Sequence, residues 1–278
     1  MAARIDAHHH LWRLSRGDYG WLTPDLAAIH RDFGLEDLEP LLRQAGIDQT
    51  ILVQAAPTRA ETDYLLDVAA RSALIAAVVG WVDFEAPDAA DQVRALAARP
   101  KLKGLRPMIQ DIEDDGWMMR LDLEPAITAM VANGLTFDAL LKPRHLPILP
   151  SFADRHPDLA VVIDHAAKPD IAGGDITGWA RDIRAVAAQT PGKCKLSGLM
   201  TEARPGCSIE DLHPVFDVLI DAFGAERLMW GSDWPVLNLN GAYDVWHDAA
   251  LALTRDLPAS DQDWIFGGTA EAFYGLAA

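Results

Sequence analysis

Hydrophobic and polar positions along the chain follow two alternating rhythms. Short apolar runs, "RIDAHHH", "QTILVQAA", "IAAVVGWVD", "KLKGLRPM", "LTFDALL", "LAVVIDHA", "CKLSGLM" and "RLMWGSD", are separated by longer amphipathic segments. In those segments apolar residues recur every three or four positions, as at Leu35, Leu38, Leu41 and Leu42. That spacing puts them on one face of a helix over 35–45. The same rhythm predicts helices over 60–71, 89–98, 124–133, 179–188, 209–223 and 242–254. Strand candidates alternating with helix candidates mean parallel βα units, and eight of them close a barrel. The fold class expected is therefore α/β, a TIM-like (β/α)8 barrel, with residues 1–278 as one domain. An open doubly wound sheet is the alternative, but no G-x-G-x-x-G follows a strand and no Walker sequence occurs. Interior strand positions other than the strand ends read as Val, Ile, Leu and Ala. The stretch from Ser15 to Phe33 has no clear period. A loop of that length is either a functional lid or binding loop, or a plain insertion.

Composition narrows the function classes. Apolar residues at 50% and charged ones at 23% are the balance of an ordinary globular chain rather than a disordered one. A net charge of -17 repels nucleic acid and anionic membranes, so neither is expected as a partner. No stretch reaches the roughly 18 consecutive apolar residues of a membrane span. The start, "MAARIDAHHH", lacks the apolar core of a signal peptide. Cys194 and Cys207 read as two ordinary thiols, which suits a reducing cytoplasm.

A barrel enzyme works at the C-terminal ends of its strands. Polar, chemically able residues gather at those ends. The first run closes in His8 and His10, the fourth in Arg106, the sixth in Asp164 and His165, and the eighth in Asp233, while the fifth passes through Asp138. His8 and His10 are two apart on an extended strand, so both leave the same face and His9 points the other way. Two imidazoles on one face can grip a metal or share a substrate oxygen. A carboxylate such as Asp233, closing an apolar strand, is costly unless it is paired or working. The alternative for Asp233 is a helix cap, although Trp234 and Pro235 follow rather than a helix start. Arg106 at a barrel mouth would hold a carbonyl or carboxylate oxygen.

Six ordered segments, "IDAHHHLW", "LKGLRP", "LTFDALLKPRHL", "VVIDHAAKP", "KCKLSGLMTEA" and "MWGSDWPV", with "AEAFYGL" at the end, cover almost the whole chain. Together they resemble the amidohydrolase superfamily, and within it the branch of sugar-acid lactonases and pyrone-dicarboxylate lactonase. The resemblance implies a hydrolase that opens the ring ester of a sugar-acid lactone. It assigns Asp233 as the base that deprotonates water, with Arg106, His8, His10 and His165 polarising the carbonyl. It also implies that one zinc, if bound, is held by His8, His10, His165 and Asp233. Many members hold two metals through a Lys or Glu on strand four and a His on strand five. Here Arg106 and Asp138 stand there, and His145 lies beyond, so a two-metal centre is not expected.

Asp138, Lys142 and Glu202 are candidate partners for substrate hydroxyls, and Trp12, Trp81, Trp117 and Trp234 for a sugar ring. Core or rim packing is the competing role for each Trp. The chief rival activity is metal-dependent decarboxylation of an aromatic or muconate-like acid, and the lesser one a binding barrel without catalysis. No interface pattern indicates an oligomeric state.

Overall fold

The computed structural model describes residues 3–276. Eight strands form one parallel sheet in sequential order: β1 (Ile5–His9), β2 (Gln49–Val53), β3 (Ile75–Gly80), β4 (Leu102–Leu105), β5 (Thr136–Ala139), β6 (Val161–Ile163), β7 (Lys193–Leu196) and β8 (Leu228–Trp230). The sheet closes where the chain leaves β8. Asp233 N donates to His8 O and His10 N to Trp234 O, both at 2.7 Å, with a parallel bridge between His9 and Trp234. The result is a TIM-like (β/α)8 barrel.

Eight helices alternate with the strands: α1 (Leu35–Ala45), α2 (Arg59–Ala69), α3 (Ala89–Ala97), α4 (Glu124–Ala132), α5 (Leu149–Arg155), α6 (Thr177–Gln189), α7 (Ile209–Phe223) and α8 (Tyr243–Thr254). The spans α1 and α7 fall where periodicity puts them. By contrast, α5 carries no long amphipathic signal: it is short and has Pro150 in its first turn, where a missing N–H costs nothing. Two further helices, α9 (Ala259–Asp263) and α10 (Thr269–Tyr274), are joined by a π turn over Trp264–Gly268 and were also not anticipated.

Outward strand residues such as Leu52, Val78, Ile163 and Trp230 pack under the helices. Inward ones, Ile5, Ala7, Ile51, Val53, Ala77, Val79, Val162 and Met229, form a separate cluster with Ala270 and Tyr274 of α10. One irregularity in β1 decides the chemistry. Asp6 pairs with Thr50 and His9 with Leu52, so Ala7 and His8 together oppose Ile51 alone. This bulge lets Ala7 and His8 both face inward. Strict alternation from Ile5 and Ala7 would have carried His9 into the barrel instead. His9 points outward, its Nε2 2.9 Å from Thr50 Oγ1.

The aperiodic stretch is a clipped loop. Trp12 and Phe33 exchange both backbone hydrogen bonds at its base at 3.0 Å, and Tyr19, Leu22 and Ile29 are buried beneath it. Its Trp21 reaches the barrel mouth.

Candidate active site

The seam between β1 and the residues after β8 brings His8, His10 and Asp233 together, and His165 joins them from the turn after β6. Asp233 Oδ1 lies 3.3 Å from His10 Nε2, 3.7 Å from His8 Nε2 and 3.8 Å from His165 Nε2. All four residues are nearly or fully buried. Close approach of the two backbones makes this possible: Gly231 sits against His8, where a Cβ would come within 2.7 Å of His8 Cβ.

His165 reaches the group on a left-handed turn. Residues His165, Ala166, Ala167 and Lys168 have φ of 51°, 51°, 58° and 55°. Each such residue costs about 1–2 kcal/mol, so strain is concentrated beside the site. The turn is tied down by Trp179 Nε1 donating to Ala166 O at 2.7 Å and Lys168 N to His165 O at 2.8 Å. Arg106 follows β4 and is buried. Its Nη1 lies 3.2 Å from Asp164 Oδ2, and its Nη2 donates to both oxygens of Gln54. Its Nε has no hydrogen-bond partner among the described residues. A buried, unpaired N–H is costly, so this one is a natural donor to a bound oxygen.

The electrostatics separate the roles. Burial alone would raise Asp233, but the facing His165, His10 and His8 more than offset it and hold the carboxyl well below its usual range. Burial pushes His165 down to about 4, against the upward pull of Asp233 and Asp164. His8 is also pushed well below the usual histidine value, first by burial and then by Lys195. The cluster is thus one carboxylate facing imidazoles, of which His8 and His165 are held neutral.

These donors also fit a metal ion. A tetrahedral zinc with ligands at about 2.0–2.1 Å has ligand-to-ligand edges of about 3.3–3.4 Å. His8 Nε2, His10 Nε2 and Asp233 Oδ1 form a triangle of 3.2, 3.3 and 3.7 Å. His10 Nδ1 lies 2.8 Å from Val53 O, which fixes its proton there and turns the Nε2 lone pair into the site. A second grouping, His8, Asp164 and His165, is close enough by distance. However, Asp164 is already held by Lys195 at 2.9 Å and Arg106 at 3.2 Å, two cations that would repel another. The residues fit one zinc, not two.

Around the cluster is a cavity of about 250 Å³ lined by His10, Trp21, Arg106, His165, Lys168 and Asp233, with Met108, Gln110 and Asp111 also at its wall. None of the seven residues expected to meet substrate lies in this wall. Asp138 is fully buried inside the barrel, bonded to Lys195 at 2.6 Å, Tyr274 at 2.7 Å and Thr136 at 3.0 Å. With every near partner internal, it has no hydroxyl of a substrate to meet. Trp12 is fully buried behind His10 and donates to Arg31 O, while Trp234 is buried edge-on to Phe33. Trp117 is buried and donates to Glu85 at 2.9 Å. Trp81 is half-buried and absent from the cavity wall. Lys142 and Glu202 are half-buried outside that wall, Glu202 lying 3.7 Å from Lys168.

Sequence reasoning missed three contributors. Trp21 and Lys168 line the cavity but sit in segments without periodicity or strand character. Lys195 lies inside the barrel at a position read as apolar filler, so the interior is not purely aliphatic: Lys195, Asp138 and Asp164 form a buried charge network. Its signal was present, a Lys at an inward step of "KCKL", but only the facing carboxylates give it meaning.

Comparison with known proteins agrees with this geometry. The amidohydrolase family profile matches residues 5–276. An L-fucono-1,5-lactonase of Burkholderia ambifaria is 48% identical over 282 residues, covering 99% of this chain and 97% of the relative. A second L-fucono-1,5-lactonase, of Burkholderia multivorans, is 38% identical over 290 residues, with 99% and 97% covered. The crystal structure of an amidohydrolase from Burkholderia multivorans with bound zinc superposes with a TM-score of 0.93 at 36% identity, covering 99% of this chain and 100% of that one.

Proposed function

The chain belongs to the amidohydrolase family, and we propose that it opens the ring ester of a sugar-acid lactone, with L-fucono-1,5-lactone as the foremost candidate. The observation that carries this reading is that Asp233, the His10 and His165 imidazoles and Arg106 share the wall of one small cavity, with the His8 imidazole buried directly against Asp233. A volume of about 250 Å³ suits one ring, since sites for drug-sized ligands start at about 300 Å³.

In this reading water lies against Asp233, which takes its proton as the oxygen attacks the ring carbonyl. Negative charge develops on the carbonyl oxygen, where Arg106 Nε and the imidazoles stabilise it. Collapse breaks the ring C–O bond, and the carboxyl of Asp233 returns the proton to the departing hydroxyl. A zinc held by His8, His10 and Asp233, with His165 beside it, would add Lewis-acid polarisation of the same carbonyl. In this reading Lys168, paired with Glu202 at 3.7 Å, and Gln110 and Asp111 of the same cavity wall receive ring hydroxyls, and Trp21 covers the ring.

The test is acid release from L-fucono-1,5-lactone, other aldonolactones and a pyrone dicarboxylate, each with and without prior chelation. Fastest turnover of the fuconolactone is the expected result. Turnover of none of the lactones, with turnover of an aromatic acid by decarboxylation, would overturn the proposal.

A further inference from the structure

Lys195 is the buried group for which lactone opening has so far found no use. It is fully buried inside the barrel, and its Nζ lies 2.6 Å from Asp138 Oδ2, 2.9 Å from Asp164 Oδ1 and 3.2 Å from His8 Nδ1. An ammonium has three N–H donors and no acceptor. Asp138 Oδ2 and His8 Nδ1 lie in hydrogen-bond geometry with it, while Asp164 Oδ1 makes an ion-pair contact only; because an ammonium can only donate, His8 Nδ1 must accept.

The other contacts of His8 agree in order of distance. If Nδ1 is the acceptor, the neutral ring carries its proton on Nε2. That N–H faces His10 Nε2 at 3.2 Å, which is a lone pair because His10 has its proton against Val53 O. It also faces Asp233 Oδ1 at 3.7 Å. The opposite tautomer would rely on two longer contacts, Nδ1–H to Asp164 Oδ1 at 3.6 Å and Nε2 accepting from Arg106 Nη1 at 3.4 Å. It would also set two donors face to face at Nδ1 and two lone pairs face to face at Nε2. The shorter contacts select Nε2–H.

We infer that Lys195 is a positioning residue that holds His8 as the Nε2–H tautomer, so that His8 meets the lactone carbonyl as a hydrogen-bond donor and is withheld from metal. His10 and His8, alike in sequence, are then opposite in role: a lone pair from one, an N–H from the other. Zinc can take His8 Nε2 only when the ring moves its proton to Nδ1, against Lys195. The same network therefore favours turnover without metal and weakens zinc binding. Only the kinetic part of this inference rests on the proposed lactone chemistry.

Three measurements test it. The first uses the unaltered protein: ¹⁵N spectra of histidine-labelled enzyme, with the His8 signals identified by their loss in His8→Gln. An unprotonated Nδ1 and a protonated Nε2 are expected, and a protonated Nδ1 would overturn the inference whatever the enzyme's substrate. The second compares zinc affinity, by competition with a chromogenic chelator, between the parent and Lys195→Met made together with Asp138→Asn. The pair removes one cation and one anion, leaving the net charge of the network unchanged. His8 Nδ1–H is then free to turn to Asp164, the carboxylate–histidine arrangement that strengthens metal sites. Zinc should bind about 10-fold or more tightly in the double variant. Unchanged or weaker zinc binding in a folded double variant contradicts the inference. The third reads kcat and KM without metal. Loss of the donor should lower kcat by about 100-fold with KM little changed, whereas unaltered kcat would overturn the role in turnover.

Discussion

Gly231→Ala tests the seam on which the site is built. Gly231 follows β8 and packs against the backbone of β1, and an added methyl would stand 2.7 Å from His8 Cβ and 2.9 Å from His8 N. Carbon atoms rest at about 3.5–4.0 Å, so the two segments must part by about 1 Å. Neither side can yield cheaply. Asp233 N and His10 N cross the same seam in 2.7 Å hydrogen bonds, and Trp246 Nε1 holds Gly231 O at 2.9 Å. Overpacking of this kind costs about 1–3 kcal/mol. In a chain of this size that lowers Tm by about 2–5 °C. The separation also moves His8 away from Asp233, and a displacement near 1 Å can cost about 100-fold in turnover. Thermal unfolding followed by circular dichroism, with acid release from the lactone, reads both. Gly20→Ala is the control, because no atom of the described residues outside its chain neighbours lies within 4 Å of its added methyl. Unchanged Tm and kcat/KM in Gly231→Ala would refute the reasoning that this contact sets the register of His8.

Other outcomes follow from the same structure. Glu61 is buried beneath Ala55 and Ala56, and burial pushes it up to about 7 despite the backbone N–H groups it accepts. The folded state therefore holds this proton more tightly than the unfolded chain, so its contribution is fully present below about pH 4.5 and is lost as pH rises through about 7. Tm should fall over that window in the parent and fall less in Glu61→Gln; equal slopes in the two would contradict it. Trp21→Ala should raise KM about 10-fold through loss of about 1.5 kcal/mol of ring packing while kcat stays nearly constant; an unchanged KM would remove Trp21 from the site. Gly178→Ala, exposed near the start of α6 with open space around it, should stabilise by up to about 1 kcal/mol in a denaturant titration and leave activity alone.

The barrel was legible because its signal is local: alternating apolar runs and three-to-four spacing survive in one dimension. Chemistry at the strand ends was legible for the same reason, and His8, His10, Arg106, His165 and Asp233 do meet at one cavity or its floor. What failed required knowledge of pairing. Asp138 looked like a substrate ligand because a strand carboxylate has no visible partner in sequence, yet Lys195 and Tyr274 lie 57 and 136 residues away along the chain. The β1 bulge was equally hidden. The inward set of Ile5, Ala7, His8 and His10 cannot come from a strict period of two, and only the pairing of β1 with β2 reveals the extra residue. Trp21 was out of reach because its loop has no period and is organised by the Trp12–Phe33 clip at its base. The short α5 and the α9–α10 run fell below the length at which amphipathic spacing carries a signal.

The central claim is that Asp233 is the base for water attack on a lactone carbonyl. Asp233→Asn keeps the shape of the side chain and removes only its charge and basicity. The most direct measurement is kcat for L-fucono-1,5-lactone in this variant, metal-free, beside the parent and with folding checked by thermal unfolding. A fall of about 10²–10⁴-fold in kcat with a normal unfolding transition is the predicted result, and turnover within about tenfold of the parent would contradict it.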